Sequence, residues 1–378
     1  MNGIEYVEIR DENTDLLGII DTAQSIIWHS VYFGVGNFEI YVAAHTETVE
    51  LLQAGRYVTR IDNDEVGIIE SLQIFDDPTS GTMITASGRF AKAMLDRRLI
   101  YNLSGTVNTP TILRGNVETE VRRVVAENAI SCPFDSRRNI PVLELGELAG
   151  FAYVIVDDSG TATQKQVSYE NLLEYTDSLL KEYGLASKVV LDADAKKLQY
   201  VIFEGTDRSI DNTNCEIPIT FSKEFDNLTE SNYYFNESIS KNVALIGGAG
   251  EGLERFYSLL AGSQAGLERR ELFVDAGSVN RTYKDEKEEE QTYGDDVYRA
   301  MLDATGRQTL TEHQTEETLQ GKVDVVNSGY IFNVDFALGD IVTMQNNAIG
   351  RYVNERLRDV LEVQDGDGYK IEVNNKTN

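Results

Sequence analysis

The chain has 378 residues, 41% of them hydrophobic, which is enough for a sizeable core and for roughly two to four domains. Lys and Arg total 34 against 63 Asp and Glu, giving a formal charge of −29 that repels phosphate backbones and excludes the positive footprint of a nucleic-acid binder. Two cysteines, Cys132 and Cys215, exclude a disulfide framework, five prolines exclude a Pro-rich linker protein, and no window approaches eighteen apolar residues, so no membrane span is expected. The N-terminus, M-N-G-I-E-Y-V-E-I, lacks the basic region and apolar core of a signal peptide, so synthesis in the cytoplasm is expected. The 19 Tyr, 14 Phe and 30 Gly lean the chain toward sheet and turn.

A short strand is predicted near Ile4 to Ile9, followed by a turn at Asp11 to Asp15 and apolar runs at Leu16 to Ile20 and Ser25 to Phe33. Phe38, Ile40 and Val42 then alternate with Glu39 and Tyr41, the period of a half-buried strand. His45 to Leu52 reads as a helical turn ending at Gly55, and strands follow at Tyr57 to Ile61, Val66 to Phe75 and Thr82 to Gly88. Short strands at this spacing point to an antiparallel barrel or sandwich.

The period changes after Phe90. Helices are predicted over Phe90 to Arg98, over Glu118 to Ala129 with Val121, Val124 and Val125 inward, and over Tyr169 to Tyr183 behind an N-cap at Ser168 and before a stop at Gly184. A strand at Tyr153 to Val156, a turn at Asp157 to Thr163, and a hairpin of Lys188 to Asp192 with Leu198 to Phe203 complete a block of different grammar. It reads as an α/β domain inserted over residues 106–209.

The stretch Lys241 to Ala276 organises the remainder. Val243 to Ile246 and Leu272 to Val274 are apolar runs bounded by turn residues, read as neighbouring strands of one sheet with Phe256 to Ala261 in the connection. The acidic run Lys284 to Glu290 reads as a solvated loop tip. Tyr293 to Thr305 is predicted as a helix with Val297, Met301 and Leu302 inward, stopped by Gly306. Strands are expected at Leu319 to Val325, at Ile341 to Met344 after a corner at Gly339 and Asp340, as one long run from Arg351 to Val363, and at Tyr369 to Val373.

Candidate chemistry is sparse. His29, His45 and His313 have no second histidine or cysteine at ligand spacing, and both cysteines read as buried small hydrophobes. The cluster G-G-A-G-E-G (Gly247 to Gly252) lacks the Gly-Lys-Ser/Thr ending of a nucleotide loop and reads as a strand-exit turn. Asp365, Asp367 and Glu372 form too short a series for a calcium loop. No catalytic, cofactor-binding or metal-ligating residue is assigned, and no cofactor is expected. The positive expectation is assembly through sheet edges and faces.

Several segments carry a family resemblance: G-x-F-E-I-Y-V (Gly36, Phe38 to Val42), G-R-Y-V-T-R-I-D (Gly55 to Asp62), V-G-I-I-E-S (Val66 to Ser71), Thr85 to Gly88 with the helix to Arg98, Lys241 to Ala244, G-L-E-R-R-E-L-F-V-D-A (Gly266 to Ala276), and A-L-G-D-I-V (Ala337 to Val342). Together they span nearly the whole chain, which resembles the siphovirus ReqiPepy6 Gp37-like family of phage tail and baseplate hub proteins. The resemblance implies a mainly β fold of two small antiparallel β-barrels with mixed α/β domains. The first barrel would occupy 1–105, completed by about 210–240, and the second 241–378 with a helical insertion at about 284–318.

Phe38 to Val42 and Leu357 to Val363 would be barrel strands, and Arg269 to Glu271 would fix a strand junction through ion pairs. The family also implies a homotrimeric ring around a central channel, with a tail tube or distal tail protein above and a spike or fibre protein below. DNA would cross that channel without specific binding, a passage that the negative charge suits. The expected location is a virion tail or phage-like particle, assembled in the bacterial cytoplasm. Contractile, non-contractile and bacteriocin particles remain open, as do two other functions: a carbohydrate-binding adhesion module and a cell-wall hydrolase of the tail tip. Because the chain ends at Asn378, soon after the last strand, a hydrolase extension or a long receptor-binding segment is not expected.

Overall fold

The computed structural model describes residues 3–156, 162–284, 289–323 and 329–374. They form two compact units. One comprises Met1–Tyr153, Gln166–Asn232 and Leu319–Asn378, and the other Val154–Lys165 and Tyr233–Thr318.

The first unit is built on strand Ser25–Val31, whose alternate residues Ile26, Trp28 and Ser30 are buried. Asn37–Ala43 pairs with it antiparallel and buries Phe38, Ile40 and Val42 on the same side, as the period-two pattern requires. Trp28 lies 5.7 Å from Phe38 and 4.9 Å from Phe90 between ring centroids. Around them pack Val7, Ile9, Ile20 and Val58 from a four-stranded sheet ordered Leu16–Ile20, Val7–Arg10, Tyr57–Thr59 and Gly67–Ile68.

The other flank of Ser25–Val31 is taken by Asp359–Asp365, which forms a hairpin with Gly368–Asn374. The full sheet has eight strands, in the order Leu228–Asn236, Glu316–Val323, Gly368–Asn374, Asp359–Asp365, Ser25–Val31, Asn37–Ala43, Gly81–Arg89 and Ser71–Asp77.

This arrangement overturns the expectation of two β-barrels. Closure needs the outermost strands to hydrogen-bond to each other with a fixed stagger. Here Ser71–Asp77 pairs only with Gly81–Arg89, and no sheet of the described residues closes. Phe38 to Val42 and, of the expected Leu357 to Val363, the part from Asp359 onward are therefore strands of an open sheet. The C-terminal hairpin expected in a second barrel is paired instead with residues 26–31. The fold is mixed α/β with open sheets.

Among the described residues, four α-helices accompany the sheets. The first, α1 (Thr46–Leu51), starts at His45 as expected. Helix α2 (Val117–Val125) is capped by the Asn116 side chain, which accepts from Thr119 N at 2.9 Å, and widens into a π-helical turn at Ala126–Ile130. Its buried Glu118 accepts the backbone N–H groups of Ala149, Gly150 and Phe151 at 2.7 to 3.0 Å.

Helix α3 (Leu172–Glu182) is capped by Asn171 rather than Ser168, with the Asn171 oxygen accepting from Leu173 N and Glu174 N. The segment Phe90 to Arg98 is 3-10 rather than α over Ala91–Arg97. The run from Arg351 is two strands, Arg351–Arg356 and Asp359–Asp365. It breaks at buried Leu357, whose backbone exchanges hydrogen bonds with Gly339 and Asp340.

In the second unit, strand Val243–Gly247 lies between Tyr257–Leu260, antiparallel, and Glu271–Asp275, parallel. The expected neighbours do pair, and the glycine cluster is a strand exit, although the connection contributes a strand of its own. Ala244, Ile246 and Val274 pack on α4 (Asp295–Glu312) through Tyr298 and Leu302. That helix continues through Gly306. The glycine provides close approach instead of a stop, since a Cβ there would lie 2.7 Å from Ile246 Cδ1. Val297 faces outward, and the inward residue of that turn is Tyr298.

The acidic run lies mostly outside the described residues, as does most of the turn at Asp157 to Thr163. Thr282–Lys284 and Glu290–Thr292 flank the acidic run as a two-stranded pair.

Candidate assembly surface

Sheet ends leave backbone donors and acceptors open, and monomeric proteins usually blunt them with charge, proline or a covering element. Strand Leu16–Ile20, at one end of the four-stranded sheet, reads L-L-G-I-I, carries no charge, and exposes Leu16, Leu17 and Ile19. At one end of the eight-stranded sheet, Ser71–Asp77 exposes Leu72 and Ile74. Both edges belong to the first unit.

A cleft of about 810 Å³ also lies in that unit, lined by Thr59, Arg60, Asp62, Phe332, Glu362 and Tyr369 among others. Arg60 and Glu362 form a two-pronged ion pair at 3.0 and 2.9 Å with side chains 0% and 1% exposed. Arg60 also donates to both Asp62 oxygens and lies over the Trp28 ring at 5.2 Å. Burial by itself would loosen the guanidinium's hold on its proton, but Glu362 and Asp62 more than offset this and raise its pKa above the ordinary value. The Tyr369 hydroxyl donates to Glu362 at 2.6 Å, and burial, with the Glu362 charge behind it, pushes the phenol well above its usual range. The charges satisfy one another, so the cleft is a structural clamp.

Glu65 differs. Its carboxyl is pushed up to about 7, chiefly by burial, while the Ser30 hydroxyl donating at 2.6 Å and the charges of Lys188 and Lys92 pull it down. The folded chain therefore holds a proton that the unfolded chain has already released. Its contribution to stability is full below about pH 4.5 and is lost as pH rises through about 7. Glu65→Gln, which can still accept from Ser30, is expected to be more stable than wild type by about 3 kcal/mol at pH 8, converging with it below pH 4.5. Thermal melts across pH check this, and an unchanged pH slope in the variant would assign the effect to another group.

The residues weighed from sequence do not converge on a site. His29 meets the Asp359 carboxylate, His45 sits at the start of α1, and His313 at the end of α4. Asp365 and Asp367 share Lys370 at 3.5 and 3.7 Å, and among the described residues no group of three or more His, Cys, Asp or Glu could hold a metal. Cys132 is buried as expected, whereas Cys215 is exposed.

Arg269 pairs with Glu271 at 2.6 Å and Arg270 with Glu237 at 2.7 Å. Neither pair joins Val243–Gly247 to Glu271–Asp275, and the junction between those strands is tied by Asn242, whose side chain accepts from Arg270 N and donates to Glu268 O. The Arg60 clamp escaped sequence reasoning. Its only trace was an arginine in the apolar run Y-V-T-R-I.

Among the described residues the sheets are open-edged and carry exposed apolar side chains, the geometry of an assembly surface, and the fold has known counterparts. It matches the 43 kDa tail protein of prophage MuSo2 from Shewanella oneidensis with a TM-score of 0.57 and 12% identity, over 98% of this chain and 97% of that one. A tail protein from Neisseria meningitidis MC58 matches with a TM-score of 0.55 and 12% identity, over 97% and 95% of the two chains. Prophage tail protein gp18 from Listeria monocytogenes EGD-e matches with a TM-score of 0.50 and 12% identity, over 98% and 95%. No curated protein sequence matches. The chain belongs to the Siphovirus ReqiPepy6 Gp37-like protein family, whose profile matches residues 6–374.

Proposed function

We propose that this chain is the structural, non-enzymatic hub of a phage or phage-like tail tip. Three copies form a ring around a central channel, with the tail tube or distal tail protein on one side and the spike or fibre assembly on the other. Residues 106–209 form a domain inserted in each copy. Family membership and a fold shared with tail proteins along almost the whole chain support the reading. The observation that carries it is the pair of outermost strands with exposed apolar side chains, Leu16–Ile20 with Leu16, Leu17 and Ile19, and Ser71–Asp77 with Leu72 and Ile74. In a closed ring each edge is covered by the next copy, and cyclic symmetry ends the assembly at a defined number.

The competing readings, a carbohydrate-binding module and a cell-wall hydrolase, find less support. The single tryptophan, Trp28, is fully buried and cannot stack on a sugar. The Glu362 carboxylate in the first-unit cleft is engaged by Arg60 and by the Tyr369 hydroxyl, so its oxygens already have partners within the fold.

Sedimentation of the purified chain is expected to give three copies per particle, and electron microscopy a ring with a central hole. Combining Leu17→Glu with Ile74→Glu is expected to weaken association at least 100-fold, about 3 kcal/mol, without changing the circular dichroism. A wild-type protein that stays monomeric at micromolar concentration would sink the proposal.

A further inference from the structure

The second unit carries a surface that ring formation by the first does not use. Residues facing α4 in its three-stranded sheet are apolar, as a packed face must be, and the opposite face carries a row of large apolar side chains as well. Leu259, Leu245 and Phe273 stand directly opposite one another across the three strands, and are 56%, 41% and 52% exposed. Tyr257 extends the row on the outer strand, and the Arg255 guanidinium lies 5.5 Å from the Phe273 ring and 6.0 Å from that of Tyr257. An ordinary two-layer sheet sends polar residues to its open side. Here Glu271 and Asp275 flank Phe273 on that side, held by Arg269 and Arg255, and the row between them is apolar across all three strands.

The sequence around this face repeats as well. Gly252-Leu-Glu-Arg255 and Gly266-Leu-Glu-Arg269 each form a 3-10 turn entered by a left-handed glycine (φ 54 and 57). One turn leads into Tyr257–Leu260 and the other into Glu271–Asp275. Because those strands run in opposite directions, the turns lie at opposite ends of the sheet. Leu253 and Leu267, their central residues, are almost fully exposed.

The rim chooses the partner. Arg255 is taken by Asp275, Arg269 by Glu271 and Arg270 by Glu237. Among the described residues, the exposed carboxylates of Glu251, Glu254 and Glu268 have neither an ion pair nor a side-chain hydrogen bond, while Lys241 is the one cation of this rim left without a carboxylate partner. Three open anions against one open cation do not complement themselves, and a second copy of a chain of charge −29 would bring more of the same sign.

We propose that this face is a docking surface for a different protein, one that presents an apolar strand or helix face flanked by Lys and Arg. Apolar contact supplies the affinity, and the carboxylates of the two turns supply orientation and rejection of like-charged partners.

The test uses the purified full chain and two synthetic peptides, one of alternating leucine and lysine, the other of alternating leucine and glutamate, followed by fluorescence anisotropy. Binding of the lysine peptide and none of the glutamate peptide is expected. Phe273→Glu should reduce lysine-peptide affinity at least tenfold although it makes the chain more negative, and so should Leu259→Glu. Circular dichroism identifies a variant that fails to fold, and the two variants serve as checks on each other.

Equal binding of the lysine peptide by wild type and both variants would mean attraction by net charge alone and would overturn the proposal, as would binding of neither peptide. Self-association abolished by Phe273→Glu would also overturn it, since the face would then belong to a second copy. Failure of the ring reading leaves this outcome untouched, because ring formation is tested at Leu17 and Ile74 in the first unit.

Discussion

Glu362→Ala is expected to destabilise the first unit by about 3–5 kcal/mol, because it leaves a buried guanidinium without its main counter-charge. Arg60 donates two hydrogen bonds to Glu362, and its side chain is wholly removed from solvent. Asp62 remains as a partner in the variant, but it is more exposed and accepts only from Nε and Nη2, which leaves Nη1 without an acceptor. The Tyr369 hydroxyl would lose its acceptor as well.

The clamp joins residues 302 positions apart, tying strand Tyr57–Thr59 and its exit to the C-terminal hairpin. Urea unfolding measures the loss. Arg60→Met combined with Glu362→Leu is expected to recover much of it, since removing both charges abolishes the desolvation penalty along with the attraction. If the double variant is as unstable as the single one, the clamp is holding a geometry that apolar packing cannot supply.

Gly339→Ala is the second substitution expected to be severe, at about 2–4 kcal/mol from backbone strain and overpacking together. Gly339 has φ 95, and a Cβ on it would lie 2.3 Å from Tyr32 Cε2. Tyr32 cannot retreat: it is fully buried, its hydroxyl donates to Gly184 O at 2.8 Å, and Arg356 covers its ring at 5.2 Å. Gly205 presses on the same peptide from the other side, where its own Cβ would meet the Gly339 carbonyl at 1.9 Å.

The neighbouring Asp340 explains the rest of the A-L-G-D segment. Its buried carboxylate accepts from Thr206 N at 2.7 Å, Ala337 N at 2.9 Å and Arg208 Nε at 3.1 Å. Gly350 is the control, with φ 60 and open space around it, so Gly350→Ala should cost only about 1 kcal/mol. Thermal unfolding separates the two, and equal small losses would refute the packing account of Gly339.

What local pattern could show, the sequence showed. Period-two alternation placed the strand at Phe38 to Val42, helical spacing placed α3, and two apolar runs bounded by turns placed the parallel neighbours Val243–Gly247 and Glu271–Asp275. Motifs scattered along the chain also sufficed for the family. Helix ends were less legible. Asn171 displaced Ser168 as the cap because Tyr169 adopts a left-handed φ of 66 that keeps the preceding residues out of the helix. Gly306 reads as a stop in the sequence because a glycine in a helix is ambiguous until the neighbour pressing on it, Ile246, is known.

Sheet closure was beyond reach for a stronger reason. Alternation reports which side chains of a strand are buried, but the identity of its hydrogen-bonded neighbour is a long-range property. Whether Asp359–Asp365 closes a local barrel or crosses the chain to Ser25–Val31 leaves its own alternation unchanged. Only the tertiary structure decided that the sheets stay open. The same holds for which apolar rows remain uncovered and for the burial of Arg60, since each depends on what arrives from elsewhere in the chain.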